Sequence, residues 1–260
     1  MRVLVAATLL ALSMSATAQD FKVYAAGSLR SALTDAGAEY RGMSGRVPGF
    51  EYGPSGLLKE RLEKGEKADV FASANMEHPK ALADAGKAGP VKMFARNKMC
   101  ALASPGAKAT TENLLERMLD PKVKLATSTP KADPSGDYAW QVFERAGKVK
   151  AGSFDALSKK ALQLVGGPTS PPPPRDRTAY GMLVANGTAD IFLTYCTNAV
   201  LAKKEEPTLQ VVALPASLAV SAEYGLVLLN GHAPRAERFV TYLMSSQGQA
   251  TLAKHGFSPP

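Results

Sequence analysis

The sequence predicts an α/β protein of two halves, each a mainly parallel sheet flanked by helices. Three observations predict it. Short β-type runs alternate with helical patterns along most of the chain, the rhythm of parallel strands with helices on their faces. The 260 residues are 45% hydrophobic and 21% charged, ordinary shares that exclude a collagen, a coiled coil or a disordered chain. That length suffices for one large or two modest cores.

The elements follow in order. Phe21–Ala25 is a β-type run, and Ser28 to Tyr40 then carries apolar residues at helical spacing. Gly49–Tyr52 is a second strand, with a helix from Ser55 to Lys64 after it; Ala68–Ala72 is a third, with a helix from Met76 to Ala85. From Phe94 the pattern restarts: a strand at Lys98–Ala103, a helix at Thr111–Leu119, a strand at Lys124–Ala126 and a helix at Tyr138–Ala146. Gly166 to Pro174 ends in four consecutive prolines, which lack amide donors and lock φ, so it reads as an extended loop. A helix from Arg177 or Thr178 to Asn186 ends at Gly187. Strands at Asp190–Tyr195, Val211–Pro215 and Tyr224–Leu229 precede a C-terminal region, Arg235–Ala253, that reads as helical. No repeat of fixed period occurs.

The N-terminus has the pattern of an export signal. Met1-Arg2 is a short positive region, Val3–Leu12 an apolar stretch too short to span a bilayer, and Ala16-Thr17-Ala18 a small-residue cleavage site. A buried N-terminal strand or helix is the alternative. The expected mature chain begins near Gln19 and is exported, soluble and without a membrane span. In that oxidising compartment Cys100 and Cys196 can pair across nearly a hundred residues. Two buried free thiols are the alternative; the compartment favours the disulfide. The net charge of +8 comes without a long basic run or a Cys/His cluster, so it gives nucleic acid no support and suits an anionic ligand equally well.

The informative residues are serines at strand ends. Ser28, in Ala25-Ala26-Gly27-Ser28-Leu29, and Ser55, in Gly53-Pro54-Ser55-Gly56-Leu57, each follow a strand and open a helix. Such strand ends border the ligand crevice of an open parallel sheet, and a helix start adds free amides and partial positive charge. Ordinary N-capping is the competing reading for each, and the two readings weigh evenly. Tyr195 is equally a core aromatic at a strand end. Catalysis finds no support: Ser55 lacks the spacing of a nucleophile elbow, and no P-loop, dinucleotide fingerprint or zinc motif occurs. His78, His232 and His255 read as surface or capping residues.

Taken together, these stretches resemble the periplasmic molybdate-binding proteins of ABC importers, a branch of the two-lobed, type II periplasmic binding proteins. The likeness rests on the two serine motifs, Ala68–Ala74, Phe94–Lys98, Gly187–Asp190 running to Tyr195, and Ser245–Gln249 through His255-Gly256-Phe257. It implies a ligand between lobe one, residues 20–96 plus 221–260, and lobe two, residues 97–220, after a signal peptide of residues 1–18. It further implies an oxyanion, molybdate or tungstate, held by the hydroxyls of Ser28, Ser55 and Tyr195 with amides that match Ser135 and Arg177. No cofactor, no side-chain metal ligand and no catalysis are expected. The implied partner is an inner-membrane ABC permease, served by a periplasmic monomer. Ser135 matches a position that normally holds a small residue, and two positions depart from the pattern: Arg177 stands at an apolar residue and Asn198 at an aspartate. The physical logic favours donors only, because molybdate accepts on every oxygen, whereas a carboxylate acceptor in the pocket selects a protonated anion. Another oxyanion or a small organic carboxylate is the alternative ligand. A secreted hydrolase using Ser28 or Ser55 is the distant alternative.

Overall fold

The computed structural model describes residues 20–46, 48–172 and 177–260. The expected export signal, and residues 173–176 at the end of the proline segment, lie outside the described residues. Among those residues the strands are β1 (Phe21–Ala26), β2 (Pro48–Gly53), β3 (Val70–Ala72), β4 (Lys92–Ala103), β5 (Leu125–Ser128), β6 (Leu162–Val165), β7 (Ile191–Tyr195), β8 (Gln210–Ala213) and β9 (Ser221–Leu228). The helices are α1 (Arg30–Ser44), α2 (Ser55–Glu63), α3 (Glu77–Asp84), α4 (Leu114–Leu119), α5 (Pro134–Val149), α6 (Ser153–Lys160), α7 (Ala179–Ala185), α8 (Cys196–Glu205), α9 (Pro234–Met244) and α10 (Ser246–Lys254).

The strands pair in the order β2-β1-β3-β9-β4-β7-β5-β6, with β8 also on β4. Parallel pairing holds β2, β1 and β3 together on one side, and β6, β5 and β7 on the other. Antiparallel β9 and β4 join the two groups. From Lys92 to Lys98, β4 pairs with β9; from Met99 to Ala103, it pairs with β7 and β8. A single long strand therefore belongs to both halves of the sheet. Its first part was not legible as a strand because Lys92, Arg96 and Lys98 break the apolar run and a bulge falls between Met93 and Ala95.

The register of β4 on β7 sets Met99 opposite Tyr195 and Cys100 opposite Thr194. Cys196, one residue beyond the strand, therefore lies beside Cys100, and the two form a disulfide with Cα atoms 4.8 Å apart. The expected C-terminal helical region is two helices. Ser245 takes an extended conformation between them, and its hydroxyl accepts from the Gly248 amide at 3.3 Å while donating to the Tyr242 carbonyl at 2.6 Å. A Cβ at Gly248 would collide with the backbone of Tyr242 and Leu243, so only glycine lets α10 fold back against α9.

Aromatic packing ties the N- and C-terminal segments of the chain into the first half. Phe21, Tyr40 and Phe239 meet with ring centroids 5.2 to 6.4 Å apart, and Tyr242 packs tilted against Tyr40 at 5.5 Å. Such pairs add roughly 0.5–1.5 kcal/mol each beyond their buried area. Among the described residues no helix is long and apolar enough to cross a membrane.

Candidate functional site

The parallel register aligns three strand ends. Ala26 of β1 stands beside Gly53 of β2, and Ala25 beside Ala72 of β3. Residues just past these ends therefore share one edge: Ser28 in a 3-10 turn (Gly27–Leu29), Ser55 at the start of α2, and Ala74 after β3. Pro54, extended at φ −61° and ψ 129°, delivers the chain to α2 with Ser55 as its first residue.

Neither serine hydroxyl caps its own helix. Ser55, 1% exposed, accepts instead from the Ala74 amide at 3.2 Å. The Ala74 carbonyl receives the Tyr195 hydroxyl at 3.4 Å, a contact that crosses from the end of β7 to the end of β3. That distance is long for an O–H donor, so the tyrosine proton is weakly committed. Ser28 shares a hydrogen bond with the Tyr224 hydroxyl at 3.0 Å, and the rings of Tyr224 and Tyr195 lie 5.5 Å apart. Asn97 completes the group, donating at 2.9 Å to Thr197 and at 3.4 Å to the Tyr224 hydroxyl.

Ser28, Ser55 and Tyr195 are thus brought together at the junction of the two halves. Tyr224 and Asn97 join them without having been singled out in the sequence. Burial pushes both tyrosine hydroxyls well above their usual range, so each keeps its proton across the physiological range. The five side chains of this cluster are uncharged, and the arrangement is rich in donors.

On the facing side, α5 begins at Pro134 with Asp133 as its N-cap. The Ser135 amide donates to the Asp133 carboxylate at 3.0 Å, and the Ser135 hydroxyl is fully buried without a partner among the described residues. Burial raises the Asp133 carboxyl to about 6. Asp133-Pro134 is the sequence pattern of a helix start, a cap followed by proline at the first helical position. The two sides touch where the Gly56 amide donates to the Ala132 carbonyl at 2.9 Å. A cavity of about 450 Å³ opens beside this contact, lined in part by Lys59, Glu77, Lys131 and Asp137.

Arg177 sits apart. Its guanidinium lies 3.9 Å from Glu206 with a half-exposed side chain. The neighbouring Thr178 amide and hydroxyl both donate to Glu205, at 2.7 and 2.9 Å. Asn198 is buried and donates to Thr194 at 3.1 Å. Two histidines serve elsewhere, His232 against Leu229 and Glu237 and His255 against Asp35, whereas His78, expected at the surface, lines the cavity with its Nε2 buried and unpartnered among the described residues.

The sequence matches the family described as bacterial extracellular solute-binding protein over residues 21–258. A Pasteurella multocida (strain Pm70) protein of uncharacterised role is 35% identical over 211 residues, covering 81% of this chain and 86% of the relative. The molybdate-binding protein ModA of Mycobacterium tuberculosis (strain H37Rv) is 27% identical over 256 residues, covering 94% of this chain and 86% of the relative. In fold, the sulfate-binding protein SubI of the same species superposes with a TM-score of 0.74 at 17% identity, covering 92% of this chain and 86% of that chain. The architecture is that of type II periplasmic binding proteins. With essentially the whole described chain matched, the protein belongs to the bacterial extracellular solute-binding protein family.

Proposed function

We propose that this protein captures molybdate, and tungstate with it, between the two halves of its sheet and delivers it to an inner-membrane ABC permease. The observation that carries the reading is the uncharged cluster of Ser28, Ser55 and Tyr195, linked through Ala74 and Tyr224. Neither serine is spent as a helix cap, which removes the ordinary explanation for finding them there. A fully deprotonated oxyanion offers acceptors only, and hydroxyls that can turn their protons toward it satisfy it without a counter-charge. Arg177 lies on the Glu206 side with its guanidinium 3.9 Å from that carboxylate, away from the hydroxyl cluster, so the planar fork that suits a bidentate carboxylate is not part of the cluster. Sulfate carries the same charge on shorter bonds, and the size of the closed site separates the two.

A thermal-shift screen of molybdate, tungstate, sulfate, phosphate and small organic acids tests the reading. Molybdate at a hundredfold excess over its dissociation constant should stabilise the fold by about 2.7 kcal/mol. A shift from an organic acid with none from molybdate or tungstate would refute it.

Two substitutions sharpen the test. Ser55→Ala should weaken molybdate binding roughly 10- to 150-fold, the equivalent of losing a hydrogen bond to a charged partner worth about 1.5–3 kcal/mol. Calorimetry with unchanged affinity would remove Ser55 from the site. Arg177→Ala should weaken binding by less than about tenfold, because its side chain contacts Glu206 and losing an exposed ion pair costs at most about 1 kcal/mol. A larger loss would bring the guanidinium into the cleft and reopen the organic-acid reading.

A further inference from the structure

The start of α5 holds a group that a donor-only oxyanion site does not need. Asp133 caps the helix twice over: its carboxylate takes the Ser135 amide at 3.0 Å, and its backbone carbonyl takes the Gly136 amide at 2.8 Å. The amide that the oxyanion reading assigns to the ligand is therefore held by an internal carboxylate. Beside it, the Ser135 hydroxyl is fully buried and unpartnered among the described residues. Buried hydroxyls in folded proteins carry partners with few exceptions, and Ser135 shares this state with Thr127 and Ser128 at the end of β5. Gly166, at φ 79°, closes over the carboxylate so tightly that a Cβ would collide with the second Asp133 oxygen.

We propose that Asp133 is a specificity-determining residue of the anion site, and that capture of a fully deprotonated oxyanion is coupled to uptake of one proton by its carboxylate. The proposal rests on the oxyanion reading above. In its charged form Asp133 competes for the Ser135 amide and repels the ligand. Once protonated, it loses the charge that repels the anion and holds the Ser135 amide less strongly, which frees that amide for an oxyanion oxygen. The proton comes from solvent and stays on the side chain while the anion is bound. Burial places this change near neutrality, with the carboxyl raised to about 6.

The titratable groups facing it are Asp137 from α5, Tyr180 from α7 and Tyr195 from the end of β7. Burial lifts both tyrosines above their usual range, and the approach of Gly166 brings no charge. Asp137, also raised by burial, is the other carboxylate that could titrate here; its oxygen is held by the Lys131 amide at 2.8 Å.

The sign follows from linkage. Binding an anion beside Asp133 raises its pKa further, so affinity increases as pH falls toward 6 and levels off below. One linked proton limits the slope to about tenfold in Kd per pH unit. Calorimetry of low-micromolar molybdate binding to the whole protein from pH 5.5 to 8, in buffers of different ionisation heat, reads both affinity and proton uptake. The wild type should tighten several-fold per unit between pH 8 and 6 and take up as much as one proton. Asp133→Asn, which keeps an acceptor for the Ser135 amide, should bind at pH 8 as tightly as the wild type at pH 6, with a flat profile and no proton uptake. Asp133→Ser, a neutral cap of another shape, should behave alike and guards against a folding defect in the first variant. Asp137→Asn should retain the wild-type profile. A wild-type profile in Asp133→Asn, or its loss in Asp137→Asn, overturns the assignment. A pH-independent wild type that still loses affinity on Ser55→Ala overturns this proposal alone. A wild type that binds no molybdate at any of these pH values overturns the oxyanion reading and this proposal with it.

Discussion

Replacing both Cys100 and Cys196 by serine is expected to destabilise the folded protein by about 4–5 kcal/mol, the loop-closure value for a cross-link spanning roughly a hundred residues. The bridge joins residues 96 apart, from β4 to the first residue of α8, so the unfolded chain gains a long, free loop when it is removed. Urea unfolding checks this in two ways. The midpoint should fall, and the slope should rise, because the unreduced denatured state is the more compact of the two. Affinity should suffer much less than stability. Tyr195 follows Thr194 in a ladder of five paired residues on β4, and that ladder places the ring whether or not the next residue is tethered. An unchanged midpoint would mean that the bridge merely decorates a junction already fixed by the sheet.

That ladder also marks what could be read from the sequence. β1, β2 and β7 are short apolar runs ending in turn residues, so their boundaries were visible to within a residue or two, and with them Ser28, Ser55 and Tyr195. The pairing of Cys100 with Cys196 followed from compartment and count. Local pattern failed where an element is specified by distant partners. β6 is short and mostly exposed, and α8 has apolar residues around much of its circumference, so neither shows a clean period. The break at Ser245 depends on Gly248 meeting the backbone of Tyr242 and Leu243.

The site shows the same division. Its serines announce themselves at strand ends, yet the contacts that gather the site span the chain: Tyr224 is 196 residues from Ser28, and Tyr195 is 121 from Ala74. A tyrosine inside an ordinary strand pattern carries no local sign that its hydroxyl will meet a serine from the first turn of the protein. Asp133-Pro134 has the pattern of a helix start, which carries no sign of a ligand. What the cap does to the Ser135 amide became visible only in the fold.

The largest effect on binding is expected at Gly56, a residue with no side chain to offer. Its amide donates to the Ala132 carbonyl, and an added Cβ would collide with the carbonyl oxygens of Lys131 and Ala132, both backbone atoms that no rotamer change can move. Lys131 already sits at φ 69°, a left-handed conformation that leaves this loop little freedom to retreat. Gly56→Ala must therefore hold α2 away from the loop that precedes α5, parting Ser55 from the facing helix start. Overpacking costs about 1–3 kcal/mol, and the lost hydrogen bond about 1 kcal/mol more. A total of about 2–4 kcal/mol is roughly a 30- to 700-fold loss of affinity. Within its own helix the substitution is favourable by a few tenths to about 1 kcal/mol, since alanine is the better helix former. The variant should then fold normally, melt near the wild-type temperature without ligand, and lose most of its molybdate-induced shift. Small-angle scattering should show a wider particle that fails to contract on adding molybdate. Wild-type affinity in this variant would mean that the two sides bind the anion without approaching as closely as Gly56 and Ala132 do here.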